Sequence, residues 1–430
     1  MQTQKSDTAT RRSFLKTSAL AIGGVAAGCA TAQPSPLTAL QRARAVGAND
    51  RIRIGQIGCG GRGVGAHMTG IKPYLQSQNV DIVAVCDPWS VARENANEKV
   101  KAWLGHDAQR FVSYRDLLAV KDLDAVMIAS CDFQHTTHLE AAANARKHVY
   151  VEKPMATDFP RLVRAVDAVK ASGVIAQVGT QLRSLPSING ARALYQSGIL
   201  GQPNRIEECR NGDQPYWYHY LKEVKEADVD WKEFLMDLPL RPFRADLYSG
   251  WYGYYEFSRG PIPGFGSHFI DMIHFITGAK FPSSCVCLGG TYTWKDEHQF
   301  TAPDCIQATW LYPEGFLVSS SNNLGNQHGS VRRIYTEKGV LKLDNWSQPT
   351  YSAEGGPRRD GQIRGIKPVP PVECPDHFLN WLQCLRSGAT PNASIEAGFQ
   401  HATAVIMAMM SFESGRKALF DPAKREIRLA

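Results

Sequence analysis

Ile52-Arg53-Ile54-Gly55-Gln56-Ile57-Gly58-Cys59-Gly60-Gly61-Arg62-Gly63 decides how this chain is read. A β-branched apolar run, 52–58, feeds directly into a G-x-G-x-x-G turn at Gly58, Gly60 and Gly63. The first glycine permits a tight turn and the second lets a pyrophosphate approach the backbone. The third lets the following helix pack on the strand, with its N-terminus toward the phosphates. Gly-rich turns are common, so the surroundings must supply specificity. The next apolar run, 80–86, ends at Asp87, 24 residues past Gly63, where a carboxylate takes the ribose 2′-hydroxyl of a dinucleotide. A carboxylate there repels a 2′-phosphate, and Pro88 and Trp89 bring no cation, so NAD is expected over NADP.

Working outward, apolar runs at 124–130, 148–151 and 174–179 alternate with helical patterns such as 161–172. Buried strands alternating with helices predict a doubly wound parallel sheet. Past residue 181 the rhythm changes. Between Tyr216 and Phe257, 13 of 42 residues are aromatic, against 10% for the chain. Strand-like runs follow at 285–294, 306–312, 316–320, 331–335 and 340–343, with turns at Pro313-Glu314-Gly315 and Lys338-Gly339, and helical patterns close the chain at 376–386 and 396–416. The expected architecture is an α/β Rossmann domain over 51–180, then an α+β domain over 181–430 built on an open, mainly antiparallel sheet. The helix at 396–416 is a candidate to pack back on the first domain.

At 430 residues, 43% apolar and 21% charged, the chain is neither disordered nor a disulfide-stapled mini-protein. No stretch approaches the ~20 apolar residues of a transmembrane helix. Arg11-Arg12-Ser13-Phe14-Leu15-Lys16, followed by a short Gly/Ala-rich apolar run, resembles a twin-arginine export signal. Ala30-Thr31-Ala32 offers a small-x-small cleavage site before Gln33. Ala26-Ala27-Gly28-Cys29 is a weak lipobox that would lipidate Cys29, but Ala26 stands where a larger aliphatic is usual, which favours soluble release. Residues 1–32 are therefore expected to be a signal peptide, 33–50 a linker, and the mature protein periplasmic. The formal charge of +7 suggests an acidic partner, yet 1–32 hold four cations against one anion, leaving +4 and no like-charge block. Nucleic-acid binding loses its support. The twin-arginine route exports folded proteins, which suits a cofactor acquired in the cytoplasm. The nine Cys from Cys59 to Cys384 then need not pair, and there is no CxxC.

The fifth run ends Val149-Tyr150-Val151-Glu152-Lys153-Pro154, which points Lys153 into the crevice at the carboxyl edge of a parallel sheet. Further on comes Gly264-Phe265-Gly266-Ser267-His268-Phe269-Ile270-Asp271-Met272-Ile273-His274, where His268 and Asp271 share a helix face. We take Gly58, Gly60, Gly61, Arg62, Gly63, Asp87, Ser130, His135, Glu152 and Lys153 as the cofactor-facing set, and Lys153, His268 and Asp271 as the catalytic candidates. His268, Asp271 and His274 at i, i+3, i+6 spread around a helix, so a metal site is not expected. His135 and His138 read as flanking the nicotinamide side of the crevice.

Together the Gly-rich loop, the EKP at 152–154 and the G-S-H-x-x-D at 266–271 resemble the glucose-fructose oxidoreductase / inositol dehydrogenase / MocA family. The resemblance runs over about 51–420. Val178-Gly179-Thr180-Gln181 and Asp230-Trp231 fit a branch common among exported members. It implies that Lys153 holds the reacting hydroxyl, that Pro154 is cis, and that His268 is the general base, a role suited to imidazole. It also implies a homo-oligomer formed through the open sheet. One departure stands out: relatives often carry D-x-x-x-H, which would put an Asp at 264, and here that residue is Gly264. Asp271 either orients His268 or is paired elsewhere in its helix. The aromatic belt offers Trp217, Tyr218, Trp251, Tyr252 and Tyr255 as a sugar platform, or else as core or interface. The expected function is oxidation of a secondary hydroxyl on a sugar, cyclitol or glycoside by an NAD enzyme that keeps and recycles its cofactor. The alternatives are an NAD-dependent glycosidase working by transient ring oxidation and a non-catalytic sugar-binding protein.

Overall fold

A computed structural model describes residues 51–357 and 363–430; the signal and linker readings lie outside these residues. Six strands form a parallel sheet in the order β3-β2-β1-β4-β5-β6: β1 Ile52–Ile57, β2 Val80–Cys86, β3 Gln109–Phe111, β4 Ala125–Ile128, β5 His148–Val151 and β6 Ala176–Val178. β4 and β5 are buried at every position, as strands covered by helices on both faces must be. Register then builds the site. Ile57 pairs with both Cys86 and Ile128, and Ile128 with Val151. Gly58, Asp87, the loop after β4, and Glu152-Lys153 therefore leave the sheet at one edge. The strand order reverses between β1 and β4, which opens the crevice where doubly wound sheets bind ligands.

The second sheet has ten strands among the described residues, in the order β14-β13-β12-β11-β7-β10-β9-β8-β15-β16. They are β7 Pro203–Asn211, β8 Ser284–Gly290, β9 Cys305–Tyr312, β10 Phe316–Asn323, β11 Val331–Thr336, β12 Gly339–Lys342, β13 Thr350–Ser352, β14 Lys367–Pro368, β15 Ala418–Asp421 and β16 Glu426–Leu429. Neighbours run antiparallel except the parallel pair β7·β10, so the sheet is mixed but mainly antiparallel.

Its inner face rests on the helix Ile395–Ser414, whose Ala404 carbonyl accepts the Trp310 indole N–H at 2.8 Å. The same helix meets the parallel sheet. A Cβ on Gly398 would lie 2.5 Å from Met155 Sδ and 2.7 Å from a Val178 methyl, so the missing side chain sets how closely helix and strand approach. The outer face is open: Leu288 is 76% exposed, beside Val286, Leu311 and Leu317.

Three features depart from the sequence reading. The run at 285–294 leaves the sheet after Gly290, because buried Asp304 captures the backbone N–H groups of Tyr292, Thr293 and Trp294 at 2.8–2.9 Å. β3 and the terminal hairpin β15–β16 carry no long apolar run. β7, the centre of the second sheet, reads Pro-Asn-Arg-Ile-Glu-Glu-Cys-Arg-Asn and has none either. No described helix is long and apolar enough to cross a membrane.

Candidate active site

A cavity of about 660 Å³ opens at the carboxyl edge of the parallel sheet and is roofed by the aromatic belt. Its floor is the Gly-rich loop. Gly58 sits at φ +82°, and a Cβ there would strike the Ala129 carbonyl at 2.5 Å. A Cβ on Gly63 would lie 1.9 Å from Gly58 O, so the helix begun at Gly63 can press on the strand only without one. Gly60 and Gly61, by contrast, have nothing of the chain within 4 Å of a built Cβ and face open space. The two kinds of glycine do different work: Gly58 and Gly63 shape the turn, while Gly60 and Gly61 leave room for phosphate.

Asp87 is buried at the tip of β2. Its Oδ2 accepts the Cys59 N–H at 2.7 Å and its Oδ1 the Trp89 N–H at 2.8 Å. Burial pushes its pKa up against those two donors. Tyr248 reaches across from the second domain to donate to Asp87 Oδ1 at 3.4 Å, and Lys222 lies 4.2 Å over the Trp89 ring. Both line the cavity, and neither carries a sequence signal beyond membership of an aromatic-rich stretch.

Arg62 and Glu152 are engaged with each other. Arg62 Nε donates to Glu152 Oε1 at 2.6 Å, the buried His67 adds Nε2 at 3.1 Å, and Glu152 Oε2 accepts the Lys153 N–H at 2.9 Å. Burial raises the Glu152 pKa, but the His67 hydrogen bond and the Arg62 charge outweigh it and hold the carboxyl well below the usual range. Glu152 thus ties the Gly-rich loop to the end of β5 and orients the lysine that follows. His135 does similar work: its ring nitrogens face the Pro154 and Ser130 carbonyls at 2.7 and 3.0 Å. Ser130 Oγ lies 2.9 Å from His138 Nδ1; His138 also lines the cavity, and burial lowers its pKa to about 3.

The Lys153–Pro154 peptide is cis. Lys153 Nζ donates to the Gly264 carbonyl at 2.9 Å, and burial lowers its pKa. His268 is the second residue of the helix Ser267–Thr277 and lines the same cavity. Its Nδ1 is shielded without a partner, and burial first, then the Lys153 charge, pull its pKa well below 6.5. A neutral imidazole and an amine therefore face one space.

Asp271 is not in that arrangement. Its Oδ2 accepts Arg183 Nε at 2.7 Å and its Oδ1 faces His401 Nδ1 at 3.4 Å, all buried behind the helix and outside the cavity lining. Of the two readings of this residue, pairing elsewhere is the observed one, and the catalytic assignment is corrected. Arg183 and His401 are its real partners and were invisible in sequence, being 88 and 130 residues away. The third histidine considered with it, His274, instead meets the Tyr312 hydroxyl at 2.7 Å.

The aromatic belt divides as well. Trp251 and Tyr252, stacked at 3.7 Å between centroids, line the cavity. Trp217 is core, Tyr218 is bonded to Asp296, and Tyr255 donates to Glu413 at 3.0 Å, so these three leave the proposed sugar platform. Asp132 is a cavity residue that the sequence reading missed.

Residues 52–180 match the Gfo/Idh/MocA description "Oxidoreductase family, NAD-binding Rossmann fold", and residues 221–419 match the same family's C-terminal alpha/beta domain. Among curated proteins the chain is similar to an inositol 2-dehydrogenase of Acidothermus cellulolyticus, 34% identical over 46% of this chain and 58% of that one. It is also similar to a glycosyl hydrolase family 109 protein of Shewanella sp. strain ANA-3, 31% identical over 51% and 48%. The chain spans about half the length of the curated relatives it matches. In fold it resembles the WlbA dehydrogenase of Bordetella pertussis, solved with NADH and UDP-GlcNAcA (TM-score 0.64, 20% identity, 86% of this chain and 99% of that one). It likewise resembles the aldose-aldose oxidoreductase of Caulobacter crescentus (TM-score 0.65, 16% identity, 86% and 100%). The glycine cradle, the Asp87 carboxylate and two matched halves lead to one conclusion: this chain belongs to the Gfo/Idh/MocA oxidoreductase family and carries its NAD-binding Rossmann domain.

Proposed function

We propose that the protein is an exported NAD-dependent oxidoreductase acting on a secondary hydroxyl of a sugar, cyclitol or glycoside. The observation that carries this is the convergence of Lys153 and His268 on one cavity whose floor is the open face of Gly60 and Gly61. Gly58, Gly60, Gly61, Gly63 and Asp87 would hold the dinucleotide. When bound, NAD supplies a two-electron acceptor for the carbon that bears the reacting hydroxyl.

The chain's own residues do the rest. Lys153 Nζ, anchored on Gly264 O, holds the substrate hydroxyl oxygen. His268, kept neutral by burial, takes the hydroxyl proton. Trp251 and Tyr252 present aromatic surface to an apolar ring face and exclude water. Export without a surrounding NAD pool favours a cofactor that stays bound and is recycled within a catalytic cycle. The outer face of the second sheet, with Leu288, Val286, Leu311 and Leu317, is the surface for self-association.

The similarity to a glycosyl hydrolase family 109 protein favours a second reading. Transient oxidation of a ring hydroxyl would acidify the adjacent C–H, allow elimination of the aglycone and hydration, and end in re-reduction. Product analysis separates the two: an accumulated ketose or lactone supports the oxidoreductase, and a reducing sugar freed with no net oxidation supports the glycosidase.

A further inference from the structure

At 264, where the family pattern would put a carboxylate, a side chain would have to displace Tyr216. Gly264 offers only its carbonyl, to Lys153, and a Cβ at that position would lie 2.7 Å from the Tyr216 hydroxyl. A carboxylate nevertheless reaches the cavity, from the other domain. Asp132 stands in the loop after β4, on the short helical turn Asp132–Gln134, and is 3% exposed. It lines the same space as Lys153 and His268. Its Oδ2 is shielded from solvent and accepts no hydrogen bond from the chain.

A buried carboxyl oxygen left without a donor is unfavourable, so a ligand that enters this cavity gains by bringing one. Burial raises the Asp132 pKa well above the ordinary carboxylate value, and the charge of Lys153, the amine that receives a substrate hydroxyl, offsets only part of that rise. What complements an unpartnered carboxyl oxygen set beside an amine and an imidazole is an O–H donor.

We propose that Asp132 is a substrate-contacting carboxylate, standing in for the acid absent at 264, and that it accepts a hydrogen bond from a second hydroxyl of the polyol whose reacting hydroxyl lies between Lys153 and His268. The inference rests on the function proposed above and narrows its substrate class to polyols with a hydroxyl neighbouring the reacting one.

The test uses NAD-loaded full-length protein, wild type and Asp132→Asn, with myo-inositol, D-glucose and methyl glucoside, and then monodeoxy analogues of whichever is turned over best. In wild type one analogue, deoxy next to the reacting carbon, should lose about 10- to 100-fold in kcat/KM. Asp132→Asn should lose a similar factor on the parent polyol and little more on that analogue, with NADH fluorescence and melting temperature unchanged. Wild type equally active on every analogue overturns the proposal without need of the variant, as does an Asp132→Asn enzyme within twofold of wild type. Weakened NADH binding in Asp132→Asn with an unchanged polyol KM overturns it in favour of a cofactor contact. If wild type turns over none of the polyols, the reading of the site itself fails, and this inference with it.

Discussion

In the proposed chemistry Lys153 is the donor and His268 the acceptor, and burial acts on both. It lowers the pKa of each, so the imidazole remains a free base below neutrality and the amine gives up its proton earlier than usual. A base whose pKa lies below 6.5 stays competent as pH falls toward that lowered value, so the acid limb of kcat/KM should sit below pH 6.5. Loss of the ammonium donor should bring the alkaline limb in below 10.5. Lys153→Met and His268→Ala should each lower kcat/KM by about 10²–10⁴ while retaining NADH fluorescence. An undiminished His268→Ala enzyme would remove the histidine from the chemistry. The glycines make a sharper contrast. Gly60→Ala adds a methyl to open space and should leave the melting temperature intact while abolishing NADH binding; Gly63→Ala meets Gly58 O at 1.9 Å and should lower both. Equal melting temperatures for the two variants would mean that the loop adapts. These residues were legible in sequence because each belongs to a short-range motif. Asp271 was misread because a helix shows which residues share a face but not which partner lies across it.

The helix Ser267–Thr277 owes its placement to such a partner. Asp271, paired with Arg183 and facing His401, fixes the turn that carries His268. Burial raises the Asp271 pKa, but the Arg183 charge and His401 hold it well below the usual carboxylate range. A depressed carboxyl pKa contributes stability present above the unfolded-state value and lost as pH falls through the folded one. Removing one member of a buried ion pair costs about 3–5 kcal/mol, so Asp271→Ala should lower the denaturant midpoint accordingly. Molecules that remain folded should keep the wild-type pH profile; a shifted acid limb in them would return Asp271 to the site. β7 shows why one central element escaped the sequence reading. Its inner face buries Ile206 beside Glu208, which accepts Arg332 Nε at 2.8 Å. A strand that buries an ion pair does not look apolar. β3 and β15–β16 are short or lie at edges, where hydrophobic patterning is weakest.

At the scale of the molecule, two domains share one cavity, and one long helix, Ile395–Ser414, packs on both sheets. The parallel sheet was readable because buried strands alternate with helices; the cavity roof was not, since only folding separates Trp251 and Tyr252 from the core residue Trp217. The open outer face predicts self-association. Leu288→Arg should shift the sedimentation coefficient from dimer to monomer, and a wild-type monomer would reject that surface. The central claim, an NAD enzyme that holds and recycles its cofactor, is tested most directly by the mass and ultraviolet absorbance of protein purified without added nucleotide. The account predicts close to one NAD(H) per chain, with its 340 nm band appearing or bleaching when a polyol or its ketone is added. Protein that is nucleotide-free, and that stays spectrally silent with NAD and the same polyols supplied, would contradict it.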